Sequence, residues 1–244
     1  MPKFFVDKEL ISDTSVTLKG DDAFHVARAL RMAVGDMIDV SDGCGRELSC
    51  RLTRIRDDEC VAEIIKEGAA SAESPVDVTL FMAMPKGDKL ETVVQKAVEL
   101  GALSVVPFES ERCIKRPAPD KAAKLCDRLG RIAREAAKQC GRSRLPEVGS
   151  LISLSEMLTR LGGFDLVLFC YENEDGTTVK TVLERSSGVK TVAVIVGAEG
   201  GFSPSEAERI KAAGGVSVGL GPRILRCETA PDYALAAISY HFEL

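Results

Sequence analysis

Two glycine-bearing segments near the end of the 244-residue chain carry the residue types best suited to hold a ligand and act on it. The first is Val196-Gly197-Ala198-Glu199-Gly200-Gly201. The second is Leu220-Gly221-Pro222-Arg223-Ile224-Leu225-Arg226, with Glu228 close behind. Glycine lacks a side chain, so backbone N–H and C=O groups in such turns can approach a bound molecule. Arg226 and Glu228 add charge beside that backbone. Each turn follows an apolar run, Thr191–Val196 or Val216–Val218, and leads into a helical pattern. One helix starts near Ser203-Pro204, and the other runs from about Thr229 to the terminus. Open α/β sheets bind ligands at such carboxyl-end loops. A tight connection with no ligand accounts equally well for Gly197–Gly201 taken alone. The last helix is mostly small and apolar (Ala230, Tyr233, Ala234, Leu235, Ala236, Ala237, Ile238), so burial is expected, fixing the turn ahead of it.

Several common chemistries are not supported. There is no G-x-x-x-x-G-K-[ST]; Met84-Pro85-Lys86-Gly87-Asp88-Lys89 resembles a phosphate loop only in passing. No G-x-G-x-x-G follows the first strand of the α/β region, and no G-x-S-x-G occurs. The eight cysteines are scattered without a C-x-x-C pair and are expected to be mostly small buried residues. With only two histidines, His25 and His241, no metal site is expected. No apolar run is long enough to span a bilayer, and Lys3 and Asp7 interrupt the first residues. A cytoplasmic chain is expected.

The elements that must position these turns fall into two regions. Residues 1–70 read as short, partly alternating strands at Phe4–Val6, Val16–Leu18, Met37–Val40, Glu47–Ile55 and Cys60–Ile65. A helix is predicted over Asp22–Met32 with Phe24, Ala27 and Leu30, joined by Ala23, sharing one face. Such a set suggests a small barrel. Small and polar residues ending at Pro75 suggest a linker over 71–76. From 77 to 244 the pattern alternates: strand Val76–Met82, helix Asp88–Leu100, strand Ser104–Phe108, helix Pro119–Cys140, strand Leu166–Tyr171, helix Thr178–Arg185, then the closing pair. That alternation predicts an α/β domain on a mainly parallel sheet.

The net charge of −5 hides one basic stretch. Residues 112–144 hold eleven Lys and Arg against three acids. On the predicted helix, Lys121, Lys124, Arg128, Arg131, Glu135, Lys138 and Arg142 recur at spacings of three and four, so they share one face. A solvated face accounts for many charge runs, but such faces normally mix signs. A nearly all-positive one suits a polyanion.

Val196-Gly197-Ala198-Glu199-Gly200-Gly201-Phe202-Ser203, paired with Leu220 through Ala230, resembles the closing signature of the ribosomal RNA small subunit methyltransferase E family. The likeness extends over nearly the whole chain, through His25, Ala29-Leu30-Arg31, Lys86-Gly87-Asp88-Lys89, Gln95-Lys96-Ala97, Glu111-Arg112 and Glu135-Ala136-Ala137-Lys138-Gln139. Two departures stand out: Ala198 where the family usually has proline, and Cys227 where it usually has threonine.

The resemblance implies a PUA-like β-barrel followed by a SPOUT α/β domain with a deep trefoil knot, acting as a homodimer. It implies S-adenosylmethionine as cofactor, transferring a methyl group to uridine N3 in 16S rRNA of the small ribosomal subunit. Cofactor contacts are then expected from Phe169, Tyr171, Glu172, Val196, Gly197, Glu199, Gly200, Gly201, Leu220, Gly221, Ile224 and Leu225. Arg226 is the candidate to stabilise the uracil anion, with Glu199 or Glu228 receiving its proton. A helix-capping role for Glu228 remains open. RNA contacts are expected from His25, Arg28, Arg31, Lys86, Arg112, Lys124, Arg128, Arg131, Lys138, Gln139 and Arg142. Two other readings stand beside this one: a non-catalytic RNA-binding assembly factor of the same fold, and a nucleotide-dependent α/β enzyme acting on a small molecule.

Overall fold

A computed structural model describes residues 1–69, 72–114 and 116–244. The chain forms two compact units. One comprises Met1–Glu73 with Ala137–Leu145, the other Ser74–Ala136 with Pro146–Leu244. Residues 70 and 71, where the first region was expected to end and the linker to begin, lie outside the described residues.

The first unit holds strands β1 (Lys3–Phe5), β2 (Ser15–Lys19), β3 (Met37–Ser41), β4 (Arg46–Ile55) and β5 (Glu59–Ala69) in the order β1-β3-β4-β5-β2. Its pairs are antiparallel except β1 with β3. Alternation puts Val16 and Leu18 of β2, and Leu48, Cys50 and Leu52 of β4, into one core with Phe4, Ile38 and Val40. Two register shifts in the β4–β5 pair bend the sheet. The expected small barrel is thus present as a half-barrel, with no closing β1–β2 pair among the described residues.

The helical segment departs from its sequence reading. Helix α1 (Gly20–Phe24) passes into a π-helical turn, His25–Ala29, whose wider winding ends with Leu30 N–H donating to the His25 carbonyl. The wider turn breaks the 3.6-residue spacing. Ala23 and Val26 face the core, while Phe24 is 56% exposed and Leu30 is exposed too.

The second unit carries seven strands and six helices: β6 (Asp77–Ala83), α2 (Lys89–Glu99), β7 (Ala102–Glu109), α3 (Pro119–Cys140, its last turn in the first unit), β8 (Glu147–Val148), β9 (Ile152–Ser153), α4 (Leu154–Arg160), β10 (Leu166–Cys170), α5 (Val179–Leu183), β11 (Thr191–Val196), α6 (Pro204–Ala212), β12 (Val216–Val218) and α7 (Thr229–Glu243). The order is β12-β10-β11-β6-β7-β8, with β9 also on β7, and every pair is parallel. Unbroken burial of β10 and of Val192–Val196 fits a sheet covered on both faces. Helix α2 buries Leu90, Val93, Val94, Ala97 and Val98, as their spacing predicts. Helix α7 buries Ala234, Leu235 and Ile238, but Tyr233 and Ala236, expected inside with them, lie on its exposed side, because only one face of the helix meets the sheet. Register pairs Val196 with Met82, Phe169 with Ile195 and Cys170 with Val218, so the carboxyl ends of β6, β11, β10 and β12 are level.

Candidate active site

Because those strand ends are level, the segments leaving them meet. They enclose a cavity of about 600 Å3 lined by residues 196–201 and 219–227, by Cys170, Tyr171, Glu172, Glu174 and Asp175, and by Lys89 and Ala230. Of the residues expected to touch a cofactor, Tyr171, Glu172, Val196, Gly197, Glu199, Gly200, Gly201, Leu220, Gly221, Ile224 and Leu225 all line it, and so does Arg226. Phe169 is different. It is fully buried, stacked on Tyr171 at 5.2 Å and edge-on to Phe202 at 5.0 Å, so it supports the wall from behind. Ile224 is 92% exposed and Arg226 is exposed.

Local bonds hold the turns. Gly201 N–H donates to the Ala198 carbonyl at 2.9 Å, so the turn closes without the family's usual proline. Arg112, expected at RNA, donates through Nη1 to the Gly200 carbonyl at 2.9 Å. Behind the turn, Ser203 and Glu206 form a capping box at the start of α6, with Pro204 in the first turn, and Glu206 also accepts the Glu111 N–H at 2.7 Å. The glycines also serve the wall itself. A Cβ at Gly219 would lie 2.6 Å from the Glu174 carbonyl oxygen, and Gly201 has φ +62°.

The electrostatic centre is Lys89, which sequence reasoning did not single out as a site residue. Its Nζ lies 3.0 Å from Glu199 and 3.1 Å from Glu228. The Lys86 backbone N–H also donates to the Glu199 carboxylate, at 3.2 and 3.3 Å. These hydrogen bonds raise the Lys89 pKa, the one to Glu199 most. Burial pushes both carboxyls up, but hydrogen bonds, including those from Lys89, outweigh it and hold both below the usual range. Cys227 donates to Glu228 at 3.2 Å. Burial, then that bond, pushes the Cys227 thiol up to about 12. Glu228 precedes α7 but makes no side-chain capping bond. One sequence signal could have found Lys89. It is the first residue of a helix, where the helix dipole opposes a cation. A lysine there needs an anionic partner from elsewhere.

The residues expected at RNA separate into exposed and engaged groups. On α3, Lys121, Lys124, Arg131 and Gln139 are exposed. Arg128 is half-exposed and paired with Glu91 and, at 3.8 Å, with Asp88. Arg142 must be removed from the basic face: it is 3% exposed and pairs with Glu73 at 2.8 Å. Lys138 is largely buried, bonded to Asp22 at 3.0 Å and lying over the Phe4 ring. Helical spacing put both on the face; acidic partners within the first unit take them off it. In that unit, His25 is exposed beside Phe4, Arg28 forms a two-pronged pair with Asp57, and Arg31 has φ +52°, the only positive φ at a non-glycine among the described residues. The Lys86 side chain is exposed. No cluster of three or more potential metal ligands occurs among the described residues, and no described helix is long and apolar enough to cross a membrane.

Comparison with known proteins places this geometry. Residues 72–239 match the RNA methyltransferase domain family and residues 18–65 the RNA methyltransferase PUA domain family. Ribosomal RNA small subunit methyltransferase E of Bacillus subtilis (strain 168) is 34% identical over 251 residues, spanning 100% of this chain and 98% of the relative. The chain belongs to the ribosomal RNA small subunit methyltransferase E family. A Synechocystis member of the ribosomal RNA small subunit methyltransferase E family is 31% identical, covering 97% of this chain and 77% of its own. A crystal structure of the Neisseria gonorrhoeae ribosomal RNA small subunit methyltransferase E, bound to S-adenosyl methionine, superposes with a TM-score of 0.87 at 32% identity, covering 98% of this chain and 97% of that one.

Proposed function

We propose that the chain transfers the methyl group of S-adenosylmethionine to N3 of a uridine in 16S rRNA of the small ribosomal subunit. One observation carries the reading: a cavity of about 600 Å3, formed by three strand-end loops, with Arg226 among its lining residues. Its size suits a small-molecule site. The wall also suits this donor. Val196, Leu220, Ile224 and Leu225 offer apolar contacts; the glycine-rich backbone offers hydrogen bonds to adenine and ribose; Glu172, Asp175 and Glu199 offer negative charge to cationic groups.

When bound, S-adenosylmethionine supplies an electrophilic methyl group on a sulfonium, whose S–C bond breaks as the N3–C bond forms, leaving a neutral thioether. The residues of the chain then have two tasks, orientation and removal of the N3 proton. The Arg226 guanidinium stabilises negative charge spread over O2, N3 and O4 as that proton leaves. Glu199 or Glu228 accepts that proton, directly or through a water, and, with both carboxyls held low beside Lys89, releases it again to solvent.

Residues 77–244 carry the chemistry and 1–70 serve RNA recognition, in the cytoplasm where ribosomal subunits form. Lys86, Lys121, Lys124, Arg131 and Gln139 meet rRNA, with His25, Arg28 and Arg31 in the first unit. A homodimer is supported by Tyr233 and Tyr240, which α7 leaves exposed. The order β12-β10-β11, which adds the last strand beyond β10 rather than beside its predecessor, supports the knot. Small subunits from a strain lacking the enzyme, incubated with the chain and methyl-labelled donor, should release label as N3-methyluridine on digestion of 16S rRNA. Label in another nucleoside overturns the assignment. No label together with no donor binding by calorimetry turns it into an assembly factor.

A further inference from the structure

We propose that Lys89 is a positioning residue, one ammonium group that ties the turn after β11 to the lead-in of α7 and so sets the spacing of two cavity walls before any ligand arrives. The inference rests on reading the cavity as the methyl-donor site.

Three observations meet at this side chain. First, its partners come from separate elements: Glu199 from the turn after β11, and Glu228 and Cys227 from the segment before α7. Second, the start of α2 grips Glu199 twice, through Lys89 Nζ and through the Lys86 backbone N–H. Third, Lys89 occupies the first position of α2, where the dipole of its own helix works against it. Contacts across the sheet, not the needs of its helix, account for a cation there. Gly200 and Arg226, which flank these partners in sequence, line the cavity with Lys89 itself.

The charge arithmetic is asymmetric. Two carboxylates that share one ammonium sit close together, and removing the cation leaves them facing each other. Repulsion then has two outlets: the walls part, or one carboxyl takes up a proton. The groups that act on one another here are Glu199, Cys227, Glu228 and Lys89, and Glu172, Glu174, Asp175, Arg223 and Arg226 also line the cavity. With Lys89 present, both glutamates lie below the ordinary range, the hydrogen bond from Lys89 being among the causes. All three charged side chains are about one-quarter to one-third exposed, so water screens part of the repulsion.

The test uses the full chain and two readouts. In the ligand-free protein, carbon-detected NMR titration should find Glu199 and Glu228 below the usual glutamate range. In Lys89→Met both should rise, to the ordinary value where the walls part and one of them above it where they do not. Calorimetry with S-adenosylmethionine should show Lys89→Met binding roughly five- to tenfold more weakly than wild type, as expected for two part-exposed ion pairs. Lys89→Arg should stay close to wild type. The double variant Lys89→Met/Glu199→Gln should bind more tightly than Lys89→Met alone, because it removes the repulsion; a merely structural contact would make the double variant worse. Unchanged glutamate titration in Lys89→Met, or a double variant weaker than the single, overturns the role of Lys89. Failure of the wild-type chain to bind the donor, with the NMR shifts as expected, instead removes the cavity assignment and leaves Lys89 as a brace between the two segments.

Discussion

The two ends of the basic stretch on α3 read alike in sequence and differ in the folded chain. Toward its start, Lys121, Lys124 and Arg131 are exposed and, among the described residues, form no ion pair. Toward its end, Lys138 is held by Asp22 and Arg142 by Glu73, which also accepts the backbone N–H groups of Ser143 and Arg144 at 2.8 and 2.9 Å. One end is an exposed basic surface; the other is structural. The cavity repeats the contrast, with Lys89 paired twice and Arg226 exposed among the lining residues. A cation's partners, not its spacing, decide whether it faces a ligand or holds the fold.

The sharpest way to break this contrast is to exchange the two kinds of residue. Arg142→Ala should cost about 3 kcal/mol in urea unfolding, because it strands a buried carboxylate. Wild-type stability in that variant would put Arg142 back on the RNA face. Burial raises the Glu73 carboxyl, but the hydrogen bonds from Arg142 and two backbone N–H groups outweigh it and hold it low. A lowered carboxyl contributes stability above its unfolded value and loses it as pH falls through the folded one. Acid should therefore erode wild-type stability from near the ordinary value of 4.5 downward, and Glu73→Gln should lessen that erosion by the share Glu73 contributes.

Arg226→Ala is expected to keep donor affinity but lower methyl transfer on the order of 100-fold; turnover like wild type would remove the guanidinium from the reaction. For the exposed end, Lys121, Lys124 and Arg131 changed together to Ala should flatten the salt dependence of RNA binding, by about 0.7 to 0.9 in log–log slope for each phosphate left without its cation. The smallest effect belongs to Lys138→Gln, which should leave that slope unchanged while modestly destabilising the first unit. A slope change as large as that of Arg131→Ala would erase the distinction between the two ends.

Much of the second unit was legible. Thr191–Val196, Val216–Val218 and Pro119–Cys140 form the expected elements, since local periodicity and punctuation decide them. Helix α4 went unread although Ser153 and Glu156 form a capping box at its start, a signal present in the sequence. The short strands β8 and β9 owe their pairing to β7 and had no pattern of their own. The π-turn at His25–Ala29 defeated the 3.6-residue reading of Phe24 and Leu30. Within the site, glycines and Arg226 could be read from local motifs. The ties of Lys89 to Glu199 and Glu228 could not, since they join residues more than 100 positions apart.

Cys227 lines the same cavity, a short step in sequence from Arg226. A thiolate lining a cavity that holds a methyl donor is open to alkylation. Only the thiolate attacks efficiently. Its pKa is pushed up to about 12, first by burial, so Cys227 remains a thiol at neutral pH. Burial and the neighbouring carboxylates thus hold the sulfur in its less reactive thiol form, which suits a cysteine in this wall.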